Sequence, residues 1–336
     1  MLDVAEAARV SVATVSAVVN GTVSVSPQLR ERIEAAIQAI GYKRNTIARS
    51  LKLGKTRTIG LTVADITNPF FTDVVSAIQG VLHEAGYAVM LCSNDEDAAA
   101  QLEHVSLLLD RMVDGLIVAP AGDEVKLKPV LQSAGVPIVL IDRVCDGVDL
   151  DAVILDNRRA ACDAVTYLLD LAHRRIGYVS GPLDTSTGRE RLQGYRDALE
   201  AAGVPYRQEL VRFGNFREAD AYQATMELLA FPERPTALFA ANNLMVIGVM
   251  KAIRDFGLSC PDDISVACFD DFPWADVFQP QLTTVAQPVR AIGENAAKLL
   301  LERLGGSEAH FPRHLSLQGR LVIRNSCRPC LVHNVL

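Results

Sequence analysis

The sequence has no apolar run long enough to cross a membrane. Runs such as Leu116 to Ala119 and Ile138 to Ile141 are broken within a few residues by Pro, Asp or Arg, whereas a span needs about 18 apolar residues in a row. No export leader is expected either, because Met1-Leu2-Asp3 places an acid where a signal peptide carries a basic region and an apolar stretch. The expected compartment is the cytoplasm. Evenly paired cysteines are missing: the seven are scattered from Cys92 to Cys330, which argues against a disulfide framework and for reduced thiols. Cys327 and Cys330 make one CxxC with His333 behind it, but no second pair completes a zinc set. A loose tail without metal is expected there. Catalytic signatures are lacking as well. No GxSxG, HExxH or kinase set occurs, and His83, His104, His173, His310, His314 and His333 neighbour no plausible nucleophile in sequence. Neither enzymatic activity nor a cofactor is expected.

What is present is a chain of 336 residues, room for two or three domains at about 100 to 200 residues each. With 49% hydrophobic and 22% charged residues it has an ordinary globular composition, which excludes disorder, collagen and coiled coil. The net charge of -7 hides an asymmetry. Residues 1–58 hold nine Lys and Arg against four acids, a net of +5, leaving 24 basic and 36 acidic residues in the remainder, a net of -12. A small basic head on a large acidic body points to a polyanion partner for the head alone.

Within the head, Asp3 to Ala8 reads as a short helix and Arg9-Val10 as a tight turn. Ser11 can cap a second helix over Val12 to Asn20, with Val15, Val18 and Val19 inward and Gly21 as its left-handed exit. Ser26-Pro27 then starts a third helix, with Leu29, Ile33, Ile37 and Ile40 at helical spacing until Gly41. This makes a helix-turn-helix, although the pattern by itself also fits any small three-helix bundle. In the first case Val12, Ala13, Thr14, Ser16 and Ala17 face outward toward a DNA major groove. A short helix over Thr46 to Leu53, capped by Asn45, carries Arg49 and Lys52 and is too short to be stable alone. DNA is the expected support.

From Thr58 the chain alternates short β-branched runs with helical segments, from Ile59 to Ala64 and Phe71 to Ala85 through to Met245 to Phe256 and Ile264 to Phe269. That alternation predicts parallel sheets covered by helices on both faces. There are more strands than one such sheet usually takes, so two doubly wound lobes are expected, dividing near Asp156-Asn157 with a cleft at the strand ends. Gly181 to Gly188 is glycine-rich but lacks both GxGxxG and the Walker ending. It is either a phosphate loop or a cleft lining whose Thr hydroxyls bind a hydroxylated or anionic ligand. Asp270-Asp271 is either a catalytic or metal pair, or one ligand acceptor beside one structural acid.

Asp3-Val4-Ala5, Val10 to Ser16, Asn20-Gly21, Gly41-Tyr42, and Asn45 with Ala48 to Leu51 resemble the head of the lactose-repressor and galactose-repressor (LacI/GalR) family of bacterial transcription regulators. The likeness continues through Asn68 to Phe71, Arg111 to Leu116, His173 to Ile176, Phe269 to Asp271 and Leu282 to Val285, so it covers essentially the whole chain. The resemblance implies an α/β protein: an N-terminal helix-turn-helix head plus two doubly wound parallel lobes of periplasmic-binding-protein type. It implies a head over 1–44, a hinge helix and linker over 45–58, and an effector-binding body over 59–336. Lobe 1 would take about 59–156 and 287–318, and lobe 2 about 157–286 and 319–330.

The implied DNA contacts are Val12, Ala13, Thr14, Ser16, Ala17, Asn20, Ala48, Leu51 and Lys52, with Leu51 wedged into the minor groove. The implied effector contacts are Phe70, Phe71, Arg191, Phe216, Asn242, Asp270, Trp274 and Gln287. Trp274 is either a face for a sugar ring or a packing residue between lobes or subunits. Thr185 stands where purine-responsive relatives have Arg. Arg9 stands where the family often has Gly, and Ala17 where it often has a base-reading Arg, so the operator should differ from the usual one. The implied function is a repressor of sugar or sugar-acid utilisation genes, binding a palindromic operator as a homodimer or tetramer, with no membrane partner. A transport-type solute-binding protein would need an export signal and no basic head. A sugar-metabolising enzyme would need a phosphate loop or an acid/base pair.

Overall fold

The structure is a computed structural model that describes residues 1–20, 25–42, 55–122, 124–306 and 312–330. It divides into two compact units, Met1–Thr56 and Arg57–Leu336.

The first unit holds α1 (Leu2–Ala7), α2 (Val12–Asn20) and α3 (Pro27–Ile40). Arg9 takes a left-handed backbone, φ 51°, to close the turn between α1 and α2, which costs on the order of 1 kcal/mol for a residue with a Cβ. The cap expected of Ser11 forms: its Oγ accepts from the Thr14 N–H at 3.1 Å. Ser26 caps α3 ahead of Pro27, and Gly41 ends it at φ 64°. Val4, Ala8, Val15, Val18 and Ile33 meet in a small core. Ile40, placed inward by its spacing, is instead 41% exposed. The last turn of the 14-residue α3 outruns partners of six and nine residues. The short helix expected over Thr46 to Leu53 lies outside the described residues.

In the second unit β1 (Thr58–Val63), β2 (Ala88–Ser93), β3 (Gly115–Val118), β4 (Ile138–Ile141), β5 (Asp151–Leu155) and β11 (His314–Leu317) form a parallel sheet ordered β11-β5-β4-β3-β1-β2. A second sheet joins β6 (Ile176–Ser180), β7 (Val211–Phe213), β8 (Ala237–Ala240), β9 (Ser265–Phe269), β10 (Thr283–Ala286) and β12 (Arg320–Val322) in the order β12-β10-β9-β8-β6-β7, parallel except for β10 with β12. Every residue of β3, β4, β8 and β9 is buried, as continuous apolar runs covered on both faces must be.

The helices that place the site are α4 (Pro69–Glu84), α7 (Asn157–Asp170), α8 (Ser186–Ala201), α10 (Asn243–Asp255) and α11 (Val289–Leu304), with α5 (Ala98–Asp110), α6 (Glu124–Ser133) and α9 (Glu218–Leu229) completing the layers. The chain leaves the second sheet after β10, lays α11 on the first lobe and adds β11 there before returning as β12. Gly293 lets α11 meet α4 backbone to backbone, since a Cβ there would lie 2.6 Å from the Val74 carbonyl oxygen. Buried Asp151 fastens this return: it accepts from Arg303 Nε at 2.7 Å and from the Arg313 N–H at 2.8 Å.

The C-terminal segment is not a loose tail through residue 330. Ser326 is buried and bonded to β9 through Val266 O, Cys327 Sγ approaches the same oxygen at 3.1 Å, and Cys330 N–H donates to Leu171 O. Burial pushes the Cys327 thiol up to about 11, so this cysteine acts as a core filler.

Candidate functional site

Helix α2 presents Val12, 39% exposed, and Ala13 to solvent, with Thr14, Ser16 and Ala17 half-buried. Thr14 Oγ1 lies 2.8 Å from Ser11 Oγ, so its hydroxyl is already in a local pair. The side chains of Asn20, Ala48, Leu51 and Lys52 lie outside the described residues.

In the body, polar side chains collect just beyond the carboxyl ends of the parallel strands, the ligand position of open α/β sheets. Asp142 and Arg143 follow β4 directly. Arg143 makes a bidentate pair with Glu96, two contacts of 2.7 Å, and donates to Pro120 O at 3.0 Å. Its guanidinium also lies 5.1 Å from the ring centroid of Phe216, on the other lobe. From the second lobe, buried Arg191 donates from Nε to Asn157 Oδ1 at 2.8 Å and from Nη1 to Ala241 O at 2.6 Å, over the Phe269 ring. Asp270 is buried at the end of β9, where Gln287 Nε2 donates to its Oδ1 at 2.6 Å.

Electrostatics in this buried cluster are nearly balanced: Arg143 and Arg191 face Glu96, Asp142 and Asp270. Burial pushes the Asp142 carboxyl up to about 6 against the pull of Arg143 and Arg191. It raises Asp270 as well, opposed by Arg191, the Gln287 amide and the Asn243 N–H. A carboxyl raised by burial takes up a proton more readily than an exposed one, and once protonated it can donate as well as accept a hydrogen bond. Gln287 Oε1 is buried with no donor among the described residues, an acceptor waiting for a hydroxyl or amine.

The lobes touch across this cluster. Asn243 Nδ2 donates to Asn68 Oδ1 at 2.9 Å, Val144 N–H to Ser186 Oγ at 3.1 Å, and Arg189 to Asp146 at 2.7 Å. Asp95 and Glu96 on one lobe and Asn215 and Phe216 on the other all have left-handed backbones, φ 50° to 57°. The Arg217–Asp95 pair joins these two strained loops, and strain of this kind collects at clamps.

Of the residues expected to hold an effector, the structure brings Arg191, Asp270 and Gln287 together, with Phe216 beside Arg143. Phe70 and Phe71 are buried in the first-lobe core, edge to face at 5.0 Å. Asn242 caps α10, its Oδ1 accepting from the Met245 N–H at 2.7 Å. Trp274 is 45% exposed and packs edge-on against Phe272. Asp271, the neighbour of Asp270, is tied up by Arg324 and Thr284, which fits the structural half of the alternative. The glycine-rich stretch serves close packing: a Cβ at Gly188 would lie 1.9 Å from Pro182 O, and one at Gly181 would lie 2.2 Å from the Phe216 ring.

Glu96, Asp142, Arg143, Asn68, Asn157 and Asn243 were not among the expected residues. An Asp-Arg dipeptide directly after the apolar run Ile138 to Ile141 was the available signal, because the chain there must emerge at the ligand end of a parallel strand.

Residues 1–45 match the family described as bacterial regulatory proteins, lacI family, and residues 165–327 match the periplasmic binding protein-like domain. The HTH-type transcriptional repressor PurR of Vibrio campbellii is 35% identical over 327 residues, 97% of this chain and 98% of that protein. The crystal structure of the lac repressor dimer bound to operator and the anti-inducer ONPF superposes with a TM-score of 0.86 at 30% identity, covering 97% of this chain and 98% of that one. The complex of the transcriptional regulator CelR with cellobiose gives 0.75 at 33% identity, covering 96% and 98%.

Proposed function

The chain belongs to the lacI family of bacterial regulatory proteins, and on that premise we propose that it is a ligand-responsive transcriptional repressor that binds a palindromic operator as a homodimer. The observation that carries the reading is one chain joining a helix-turn-helix unit to a two-lobed body whose buried Arg191, Asp270 and Gln287 converge between the lobes. The DNA contacts proposed are Val12, Ala13, Thr14, Ser16, Ala17 and Asn20, with Ala48, Leu51 and Lys52 beyond them. Val12, Ala13 and Ala17 offer no side-chain hydrogen bonds, so they suit thymine methyl contacts.

The effector proposed is a sugar or a sugar acid in the interlobe cleft, held by Arg191, Asp270 and Gln287. The near balance of charge favours the neutral, hydroxyl-rich sugar, because an added anion would face three carboxyl groups against two guanidiniums. CelR, a structural neighbour, was solved with cellobiose. The test is a thermal-shift panel of sugars, sugar acids and sugar phosphates, since a ligand of the folded state alone raises its apparent stability. Each hit is then titrated into an anisotropy assay on a palindromic duplex. The expected result is a neutral sugar that shifts both melting and DNA affinity; a ligand that shifts melting alone overturns the coupling.

A further inference from the structure

Between α8 and β7, at the edge of the second sheet, lies a pocket of about 400 Å³, within the range of roughly 300 to 1,000 Å³ that small-molecule sites occupy. Leu183, Leu192, Val211, Phe213 and the ring of Tyr206 line it. Leu183, Tyr206 and Phe213 are 40%, 37% and 47% exposed. Single apolar groups on a surface are ordinary, but three partly exposed ones around one concavity mark a binding face.

The polar part of the pocket is specific. Arg196 stands 4.5 Å from the centroid of the Tyr206 ring and donates to Tyr206 Oη at 3.2 Å. Of the other charged groups that line the pocket, Arg212 pairs with Glu227, and Glu209 lies 4.0 Å from Arg207, outside it. Arg196 has no carboxylate partner among the described residues, so it is the unneutralised charge of the pocket.

We infer that this pocket is a second ligand site, separate from the interlobe cleft, for a planar aromatic molecule bearing one negative group. The flat body fills the slot between Phe213, Leu192 and the Tyr206 ring. A carboxylate or sulfonate takes the planar donor fork of Arg196, which matches its geometry. The occupant also touches Leu183, three residues before Ser186, whose hydroxyl accepts from Val144 N–H across the lobes. The inference does not depend on what the cleft binds.

Isothermal titration of the full chain with 1-naphthoate, and with 1-naphthalenemethanol as its uncharged counterpart, tests the site. The expected result is saturable binding of one naphthoate per chain. Phe213→Ser should weaken it about tenfold, and Arg196→Gln should weaken naphthoate by a similar factor while leaving the alcohol unchanged. Both side chains are exposed, and unchanged circular-dichroism melting confirms that the variants fold. Absence of saturable binding overturns the inference, and so does naphthoate affinity unchanged in both variants. A change of sedimenting mass on Phe213→Ser, without naphthoate binding by the wild type, would make the patch a subunit contact instead.

Discussion

Asn68 and Asn243 stand on different lobes and share one buried hydrogen bond of 2.9 Å, and the Asn68 Oδ1 that accepts it also accepts the Phe70 N–H at 2.9 Å. The cap of α4 is thus also a lobe-to-lobe contact. Opening the cleft strips one donor from Asn68 and leaves the cap in place, so the closed form is favoured without being locked. Asn243→Ala should cost about 1 kcal/mol of unfolding stability and increase the radius of gyration of the body by small-angle scattering. An unchanged scattering curve would show that other contacts hold the lobes.

Asp270→Asn is the sharpest test of the cleft. Asp270 has φ 67°, a left-handed backbone that Asn tolerates better than most residues, so the fold should survive. Loss of a hydrogen bond to a charged group costs about 1.5 to 3 kcal/mol, which is roughly ten- to a hundredfold in effector affinity. DNA affinity without effector should stay near that of the wild type, while the response to effector disappears. If a well-folded Asp270→Asn protein lost DNA binding instead, the assigned role would be wrong.

Asp142 should make stability fall as the pH rises. Its folded value of about 6 lies above the ordinary value near 4, so the folded state binds the proton more tightly than the unfolded chain. That contribution is complete below about pH 4 and is lost as the pH rises through about 6. Asp142→Asn removes the titration and keeps a residue suited to φ 63°. Between pH 4 and 8 the variant should gain about 3 kcal/mol relative to the wild type. Glu96 and Asp270 lie beside it, so the difference between the two proteins is the quantity to read from urea titrations.

Asp151 should behave in the opposite sense. Burial alone would raise its pKa, but the Arg303 pair and the Arg313 N–H hold it below the usual carboxylate range. Its contribution is present above the unfolded value near 4 and lost as the pH falls through the folded one. Asp151→Asn should cost about 3 kcal/mol at pH 7, and the gap to the wild type should narrow on acidification. A constant gap would mean that packing, not charge, joins α11 to β5.

The sequence made the strand-helix alternation legible because strands buried on both faces, such as Gly115 to Val118 and Ile138 to Ile141, cannot hide their apolar runs. It hid α6, where Pro129 interrupts a polar helix, and β7, only three residues long. Arg191 came from resemblance alone, whereas Asp270 was also legible as one half of the Asp270-Asp271 pair. Arg143 and Glu96 are 47 positions apart, in the loops after β4 and β2, and only the sheet order, with β3 and β1 between those strands, sets how far apart the loops lie. Local pattern reports periodicity; a pair joined through a crossover leaves no periodic trace.

The return of the chain through α11 and β11 has a consequence for biosynthesis. Until residue 317 has left the ribosome, β5 lacks its outer neighbour, and the apolar face formed by Ile292, Ala296 and Leu300 has not yet covered β3, β4 and β5. The head can finish folding while the polypeptide is still being made, but neither lobe can. A stalled nascent chain ending near residue 280 would expose unfinished sheet edges, and such edges recruit chaperones or aggregate. Truncation from the C-terminal side should therefore be punished far more heavily than its distance from the cleft suggests.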